Sequence, residues 1–329
     1  MNPDGFLDDV LREPETLARV LDAHDRDDAR LSALAARMRA ARLVVLTGMG
    51  SSRFAALTAA AALRERGIPA VAEHASTEAP AAAGRDVLAI GISASGGSEE
   101  TVEALGRHHG IGPTVAITNT ADGGRLAAVA DEHLPLHAGA ERGGVACASF
   151  QATLALLLRL AGVPTGVLAA APQLQGALLG SRDAWLDELL SLLDDASAAP
   201  AVYTIAPAAR ISSALQSALM LREGPRVAAD GTETGDWAHV DVYLSKHSGY
   251  RAILFSGSRY DGGVMEWAQP RAASIVAIGA PVEGAAMHLP IAGPGTPVDP
   301  LTAALVEVSV VELVAATWWR RRLDAGRMP

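Results

Sequence analysis

An apolar run that ends in a Ser/Gly loop and passes directly into a helical pattern constrains the fold of this chain more than any other feature. The run covers residues 87–92 and is followed by SASGGSEETVEAL, in which three serines surround Gly96 and Gly97. A buried parallel strand has this continuous apolar character, and the polar loop and periodic segment after it predict a turn and a helix. The chain is therefore expected to be an α/β protein.

The same junction has the composition of an anion site. Glycines let the main chain wrap an oxygen-rich group, serine hydroxyls donate to it, and the free N–H groups of a helix that begins near Glu99 carry the positive end of the helix dipole. A phosphate fits this description. The alternative is a plain turn in which Ser98 caps the helix, with Thr101 or Glu100 as its partner.

A second strand, loop and helix pattern lies upstream, in residues 43–62, where Ser51 and Ser52 follow Gly50. Loops at the carboxyl ends of parallel strands face the crevice in which open α/β sheets bind ligands. The glycine spacing also resembles a dinucleotide-binding turn, but the third glycine is absent and only Glu73 could serve as the ribose-binding acid. The pair of loops favours a phosphate site.

Length and charge narrow the class of protein. The 329 residues, half of them hydrophobic, suit two domains of about 150 residues each. The formal charge of −10 argues against a nucleic-acid partner, which needs a basic face. The apolar runs are short or interrupted and the N-terminus lacks a basic, apolar leader, so we expect no membrane partner and a cytoplasmic location. The single cysteine, Cys147, is expected to be a packed residue.

Short apolar runs recur in two series along the chain. They predict strands at residues 43–46, 70–73, 87–92, 114–118 and 132–136, separated by helices, and again at 202–205, 252–256, 274–279 and 287–291. Helices are predicted at residues 6–11, 15–39 (after a break at Pro14), 174–193, 211–222 and 302–322. We expect a helical lead-in (1–24), a first α/β domain (25–165), a linker helix (166–196) and a second α/β domain (197–329).

Several segments resemble a known family. Residues 48–52, 93–101 and 141–154 (ERGGVACASFQATL) are similar, in order, to the signature segments of the sugar isomerase (SIS) domain, which binds phosphosugars. Residues 214–239 resemble the second SIS domain in the isomerase half of glucosamine-6-phosphate synthase and in stand-alone phosphosugar isomerases and deaminases, and residues 6–17 resemble the lead-in found there. The resemblance implies two SIS domains, each a parallel sheet in a three-layer αβα sandwich, and a phosphosugar substrate.

The resemblance also assigns roles to single residues. It implies phosphate binding by Ser51, Ser52, Ser93, Ser95 and Ser98. Further substrate contacts are expected at Gly50, Ala94, Gly96, Val145 and Gln216. Glu223 matches the family's catalytic base. His239 matches a ring-opening histidine that the neighbouring subunit supplies, which implies a homodimer with its active site at the subunit interface.

By themselves, the residues also allow simpler roles. Glu223 could be a surface glutamate paired with Arg222 or Arg226, and His239 an ordinary loop residue. Burial would instead suit Glu223 to proton transfer, because desolvation raises the pKa of a carboxyl group, and imidazole titrates near neutrality. No metal or cofactor is expected, since His133 and His137 lack a third ligand of suitable spacing.

Some positions depart from the family pattern. Gln216 replaces a carboxylate, Met220 replaces a lysine of the synthase, and Val240 and Asp241 replace a Gly-Pro pair. The sequence ends before the family's tail lysine, and the only lysine, Lys246, is expected to be solvated. Amine transfer by the synthase's route is therefore not expected.

Two pairs of side chains are interpreted structurally. His108 and His109 resemble an exposed helix end, and Trp318 and Trp319 are expected to pack the last helix against a partner.

The sequence as a whole predicts a phosphosugar isomerase or deaminase acting on a hexose- or hexosamine-6-phosphate by carboxylate-mediated proton transfer between C1 and C2. A non-catalytic phosphosugar sensor and a SIS-type lyase remain as alternatives.

Overall fold

The computed structural model describes residues 1–194, 201–247, 249–293 and 295–326. They form two compact units, each containing one five-stranded parallel sheet. The first unit comprises Glu15–Ala140 and Ala148–Ala169, and the second comprises Met1–Pro14, Glu141–Cys147 and Ala170–Pro329. Residues 195–196, the end of the expected linker helix, lie outside the described ranges.

The first unit is built on a sheet with the strand order β2-β1-β3-β4-β5. Its strands are β1 (Leu43–Gly48), β2 (Ala70–His74), β3 (Val87–Ile92), β4 (Thr114–Thr118) and β5 (Glu132–Pro135). The helices of this part of the chain are α2 (Glu13–Arg26), α3 (Asp28–Ala40), α4 (Gly50–Glu65), α5 (Glu99–Gly106), α6 (Gly124–Ala127), α7 (Ala148–Leu160) and α8 (Thr165–Leu168). All six residues of β3 are buried, as the continuous apolar run predicts.

The second unit has the strand order β10-β9-β8-β6-β7. Its strands are β6 (Ala201–Ala206), β7 (Ala228–Glu233), β8 (Arg251–Phe255), β9 (Ser274–Ile278) and β10 (Met287–Leu289). Its helices are α1 (Pro3–Leu11), α9 (Ala171–Gly180), α10 (Leu186–Leu193), α11 (Ile211–Glu223), α12 (Thr234–Val240), α13 (Asp261–Ala268), α14 (Pro300–Val306) and α15 (Val308–Asp324). The predicted class, α/β with two parallel sheets flanked by helices, is confirmed.

All nine predicted strands are present within two residues of their expected bounds, but several helices differ. Pro14 does not break a helix: it lies in the first turn of α2, where its missing N–H has no intrahelical partner to lose. The breaks fall at Arg12 and Asp27 instead. The expected helix at 174–193 is interrupted between Ser181 and Trp185. No helix separates β2 from β3, which are joined by irregular residues 75–86.

The last helices bear on two further expectations. Together, residues Pro300–Asp324 are long and apolar enough to cross a membrane, although Glu307 and Glu312 interrupt them, as expected of the apolar runs. Their most apolar stretch is 94% buried inside the protein, which is the pattern of a core helix. Trp318 and Trp319 are likewise buried within this chain and need no partner subunit to cover them.

Candidate functional site

The two Ser/Gly loops of the first unit follow neighbouring strands. β1 pairs in parallel with β3, and the last residues of the two strands, Gly48 and Ile92, are partners in the register. β1 connects to β2 on one side and the chain then returns to β3 on the other, so the sheet order reverses between β1 and β3. This reversal is the position at which open α/β sheets bind ligands, beyond the carboxyl ends of their strands.

The loop after β3 is held in place by main-chain hydrogen bonds from its neighbours. Ser93 N donates to Ile117 O (3.0 Å), and Leu126 N donates to Gly96 O (2.9 Å). Gly96 has a positive φ of 64°, and a Cβ atom at this position would lie 2.4 Å from Gly123 O. Only glycine fits there, because both the backbone conformation and the space exclude a side chain.

The serine hydroxyls of these loops fall into two groups. Ser98 caps α5: its Oγ accepts from Thr101 N (3.4 Å) and donates to Glu100 Oε2 (2.9 Å). Ser95 Oγ accepts from Gly97 N (3.2 Å). Throughout the described part of the chain, by contrast, no hydrogen bond reaches the hydroxyls of the other three serines, Ser51, Ser52 and Ser93. Gly50 begins α4 and Ala94 lies in the loop after β3, so all eight predicted loop residues belong to the first unit.

Arg53 is a cationic neighbour of these loops that the sequence analysis missed. It lies in the first turn of α4, and its Nε is buried without a hydrogen-bond partner among the described residues. Burial lowers the pKa of the Arg53 guanidinium. His74, at the end of β2, has its pKa lowered first by burial and then by the charge of Arg53. The sequence signal that could have identified this cation is its position directly after Ser51 and Ser52.

The remaining predicted site residues lie in the second unit. Val145 and Gln216 are buried, and Gln216 Nε2 donates to Ala146 O (2.7 Å). The first half of the 141–154 motif therefore packs against α11, although the two segments are distant in the sequence. Gln216 also contacts Met220 Sδ (3.5 Å), and its Oε1 has no hydrogen-bond partner among the described residues. Two of the positions that depart from the family pattern, Gln216 and Met220, are thus in contact.

Glu223 is the last residue of α11 and is half-buried. Burial raises the pKa of its carboxyl group, while the charges of Arg222 and Arg226 act in the opposite direction. Among the described residues, neither arginine forms an ion pair with Glu223. Burial therefore outweighs the charges of the two arginines, and the pKa of the Glu223 carboxyl group is raised overall.

His239 and Lys246 are both exposed. His239 lies near the C-terminal end of α12, and the Lys246 ammonium lies 5.1 Å from the centre of the Tyr243 ring. Within the described ranges, no three His, Cys, Asp or Glu side chains are grouped to hold a metal ion. Cys147 is buried, as expected.

The second unit carries a carboxylate in the loop that corresponds to the phosphate loop. Asp261, at the start of α13, accepts hydrogen bonds from the main-chain nitrogens of Gly257 (2.6 Å) and Ser258 (3.0 Å). Burial raises the pKa of Asp261, and these hydrogen bonds together with the charge of Arg210 lower it. The N–H groups that could bind an external anion already have a partner.

Comparison with known proteins finds one matching family model and several similar proteins. Residues 37–161 match the SIS domain family. The chain is 30% identical over 262 residues to the glutamine–fructose-6-phosphate aminotransferase of Aeropyrum pernix, a match that covers 74% of this chain and 42% of that protein. The chain therefore spans less than half the length of the curated relatives it matches.

Two solved structures share the fold over almost the whole chain. The C-terminal domain of glucosamine-fructose-6-phosphate aminotransferase from Francisella tularensis has a TM-score of 0.81 at 17% identity, covering 97% of this chain and 99% of that one. Tagatose-6-phosphate ketose/aldose isomerase from Escherichia coli has a TM-score of 0.80 at 18% identity, covering 98% and 94%.

Proposed function

On the premise that this chain is a SIS-domain protein, we propose that it is a phosphosugar isomerase or deaminase acting on a hexose- or hexosamine-6-phosphate. The observation that carries the proposal is the group of hydroxyls on Ser51, Ser52 and Ser93, which have no hydrogen-bond partner among the described residues and lie at the strand-order reversal of the first sheet. Hydroxyls that the protein leaves unpaired beside a helix N-terminus suit the oxygens of a phosphate.

In this proposal the phosphate is bound only by the first unit. Ser95 and Ser98 would turn their hydroxyls from Gly97 and Glu100 towards the phosphate, and Arg53 would balance its charge. The corresponding loop of the second unit supports this assignment, because Asp261 already accepts its main-chain N–H donors. A phosphate in that loop would compete with the Asp261 carboxylate for the same N–H donors, and the two negative charges would repel each other.

The proton transfer is proposed for Glu223. For an aldose substrate, its carboxylate takes the proton from C2; the electron pair of that C–H bond forms the C1=C2 double bond, and the carbonyl oxygen at C1 gains a proton. Return of the proton to C1, with loss of the hydroxyl proton at C2, gives the ketose. The raised pKa of the Glu223 carboxyl group supports this role, since a base with a pKa nearer neutrality can both accept and return a proton.

We further propose that the chain contains two SIS domains, with the boundaries expected from the sequence, and that it acts as a homodimer in which His239 of one subunit opens the sugar ring bound by the other. The exposed position of His239 supports this role. The contacts proposed for Val145 and Gln216 would require these buried side chains to become accessible when substrate binds.

Exchange in heavy water tests the function. The protein is incubated in D₂O with hexose- and hexosamine-6-phosphates, and the products are followed by NMR and by an ammonia assay. Deuterium at C1 or C2 with ketose formation supports the isomerase, and release of ammonia with ketose formation supports the deaminase. Tight binding without exchange would contradict the proposal and favour the sensor. Elimination of a substituent would favour the lyase.

A further inference from the structure

The first unit contains a groove that the proposed chemistry does not use. Its open part, with a volume of about 620 Å³, lies between α5 and residues 75–80, which follow β2. The groove narrows into a small cavity between α5 and the end of β1, about 10 Å³ in volume, which is close to the room that one water molecule needs. Thr77, Pro80 and Arg107 line both parts, so the two are continuous.

Two buried polar side chains without partners line the inner cavity. Thr47 on β1 and His108 just after α5 are each 3% exposed. Thr47 Oγ1 and His108 Nδ1 have no hydrogen-bond partner in the described part of the chain. The expectation that His108 is exposed was therefore wrong. Each buried unpaired polar group costs about 1–3 kcal/mol, so their convergence on one cavity indicates a missing partner.

The charges of the groove define that partner. The Glu73 carboxylate lines the inner cavity, and one of its oxygens accepts from Ala81 N (2.9 Å). Three more carboxylates, those of Glu78, Glu100 and Glu103, line the open part, against the single guanidinium of Arg107. This excess of negative charge excludes an anion and favours a cation.

We propose that the groove binds a primary ammonium group, whose N–H donors enter the inner cavity towards Thr47 Oγ1, His108 Nδ1 and the Glu73 carboxylate. An ammonium has three donors and no acceptor, and the three side chains supply three acceptors. Burial lowers the pKa of His108, which keeps the ring neutral with one nitrogen free to accept. The carbon chain attached to the ammonium would occupy the open part of the groove.

The ammonium could belong to a free amine or to an amino group on the phosphosugar, and calorimetry of the full chain distinguishes the two. The probes are methylammonium and 1,4-diaminobutane, with potassium at equal ionic strength as the reference cation. Thr47→Val keeps the shape and removes an acceptor, and Glu103→Gln removes a charge. Glu65→Gln, on the exposed face of α4 outside the groove, is the matched control.

We expect Thr47→Val to weaken binding of the amines about tenfold, the value of one hydrogen bond to a charged group. Glu103→Gln should weaken it by a smaller factor, because this carboxylate is exposed and lines only the open part, and Glu65→Gln should leave it unchanged. Thr47→Val should fold normally, because the hydroxyl that it removes has no partner among the described residues; the thermal midpoint of the variant checks this. Weaker amine binding by the groove variants, with Glu65→Gln unchanged, would assign the groove to a free amine.

If the free amines do not bind, glucosamine-6-phosphate and glucose-6-phosphate are compared. A loss of affinity on Thr47→Val for the amino sugar alone assigns the ammonium to the phosphosugar. Absence of both effects, or potassium binding as tight as methylammonium, would overturn the proposal. These measurements are independent of turnover, so the ammonium site and the proposed reaction can fail separately.

Discussion

Asp261 Oδ2 lies 2.6 Å from the main-chain nitrogen of Gly257, so the second unit fills its own anion-binding loop with a carboxylate. Ser258 N donates to the same oxygen, and the charge of Arg210 favours its ionised form. In the equivalent loop of the first unit, the Ser93 hydroxyl has no hydrogen-bond partner within the described ranges. Two sheets of the same architecture therefore differ in whether their loop can accept a ligand.

Asp261→Ala should expose this hidden site. Removal of the carboxylate leaves two N–H donors unpaired, which should lower the free energy of unfolding by about 1–3 kcal/mol. Added phosphate or sulfate should raise the thermal midpoint of the variant part of the way back to the wild-type value, because the anion replaces the carboxylate. The control is Asp183→Ala, which removes an exposed carboxylate of the same unit. A variant that is destabilised but insensitive to anions would contradict the interpretation.

The serines of the first unit should separate into two classes when replaced. Ser51→Ala and Ser93→Ala should each weaken phosphosugar binding about tenfold without loss of stability, because these hydroxyls form no hydrogen bond to any described residue. Ser98→Ala should weaken binding and, unlike the other two changes, also lower stability by about 1 kcal/mol, since Ser98 caps α5. Thermal midpoints and calorimetric titrations measure both effects. Unchanged affinity in the Ser51 and Ser93 variants would place the phosphate elsewhere.

Glu223→Gln tests the proposed base. The amide keeps the shape but cannot take a proton, so turnover should fall by a factor of about 10² or more while phosphosugar affinity changes little. Burial raises the pKa of the Glu223 carboxyl above 4.5. The wild-type rate should therefore fall as the pH drops through this raised value, because the base becomes protonated. Glu188→Gln, an exposed change in the same unit, is the control. Turnover equal to wild type would exclude Glu223 as the base.

His24 should make the first unit sensitive to acid. Burial, with added effects of His137 and Arg159, lowers its pKa from 6.5 to about 4. Above the unfolded value the imidazole is neutral in both states, so His24 adds no pH dependence to the free energy of folding. As the pH falls from 6.5 to 4, only the unfolded chain takes up the proton, so folding loses about 3 kcal/mol.

A His24→Leu variant isolates this effect. The thermal midpoint of the wild type should fall more steeply with acid than that of the variant, and the slopes should agree above neutrality. Replacement of the exposed His247 by leucine should leave the wild-type slope intact. Parallel acid profiles for wild type and His24→Leu would show that His24 does not titrate as expected.

The strands were predictable because burial on both faces requires continuous apolar runs, as in Val87–Ile92. β7 was missed because it is an edge strand of sequence AADGTE, which hydrogen bonds to β6 hold in the sheet with little apolar contact. The polar loops predicted which residues line the strand ends, but not which hydroxyls are free. Whether Ser98 caps its helix, or whether His108 turns inwards, depends on packing between segments that are distant in sequence.

The division of the second unit into separate stretches of sequence has a consequence for how the protein is made. Its helix α1 is synthesised before the whole of the first unit, yet Asp9 accepts a hydrogen bond from Gly143 N (2.7 Å), and Asp4 pairs with Arg320 on α15 (3.4 Å). The first unit is complete once residue 169 has been synthesised, whereas α1 must wait for α15. Closing such distant contacts is slow. The nascent chain therefore carries the apolar face of α1 without its final partner until α15 has been synthesised, and a chaperone that shields this face should raise the yield of folded protein.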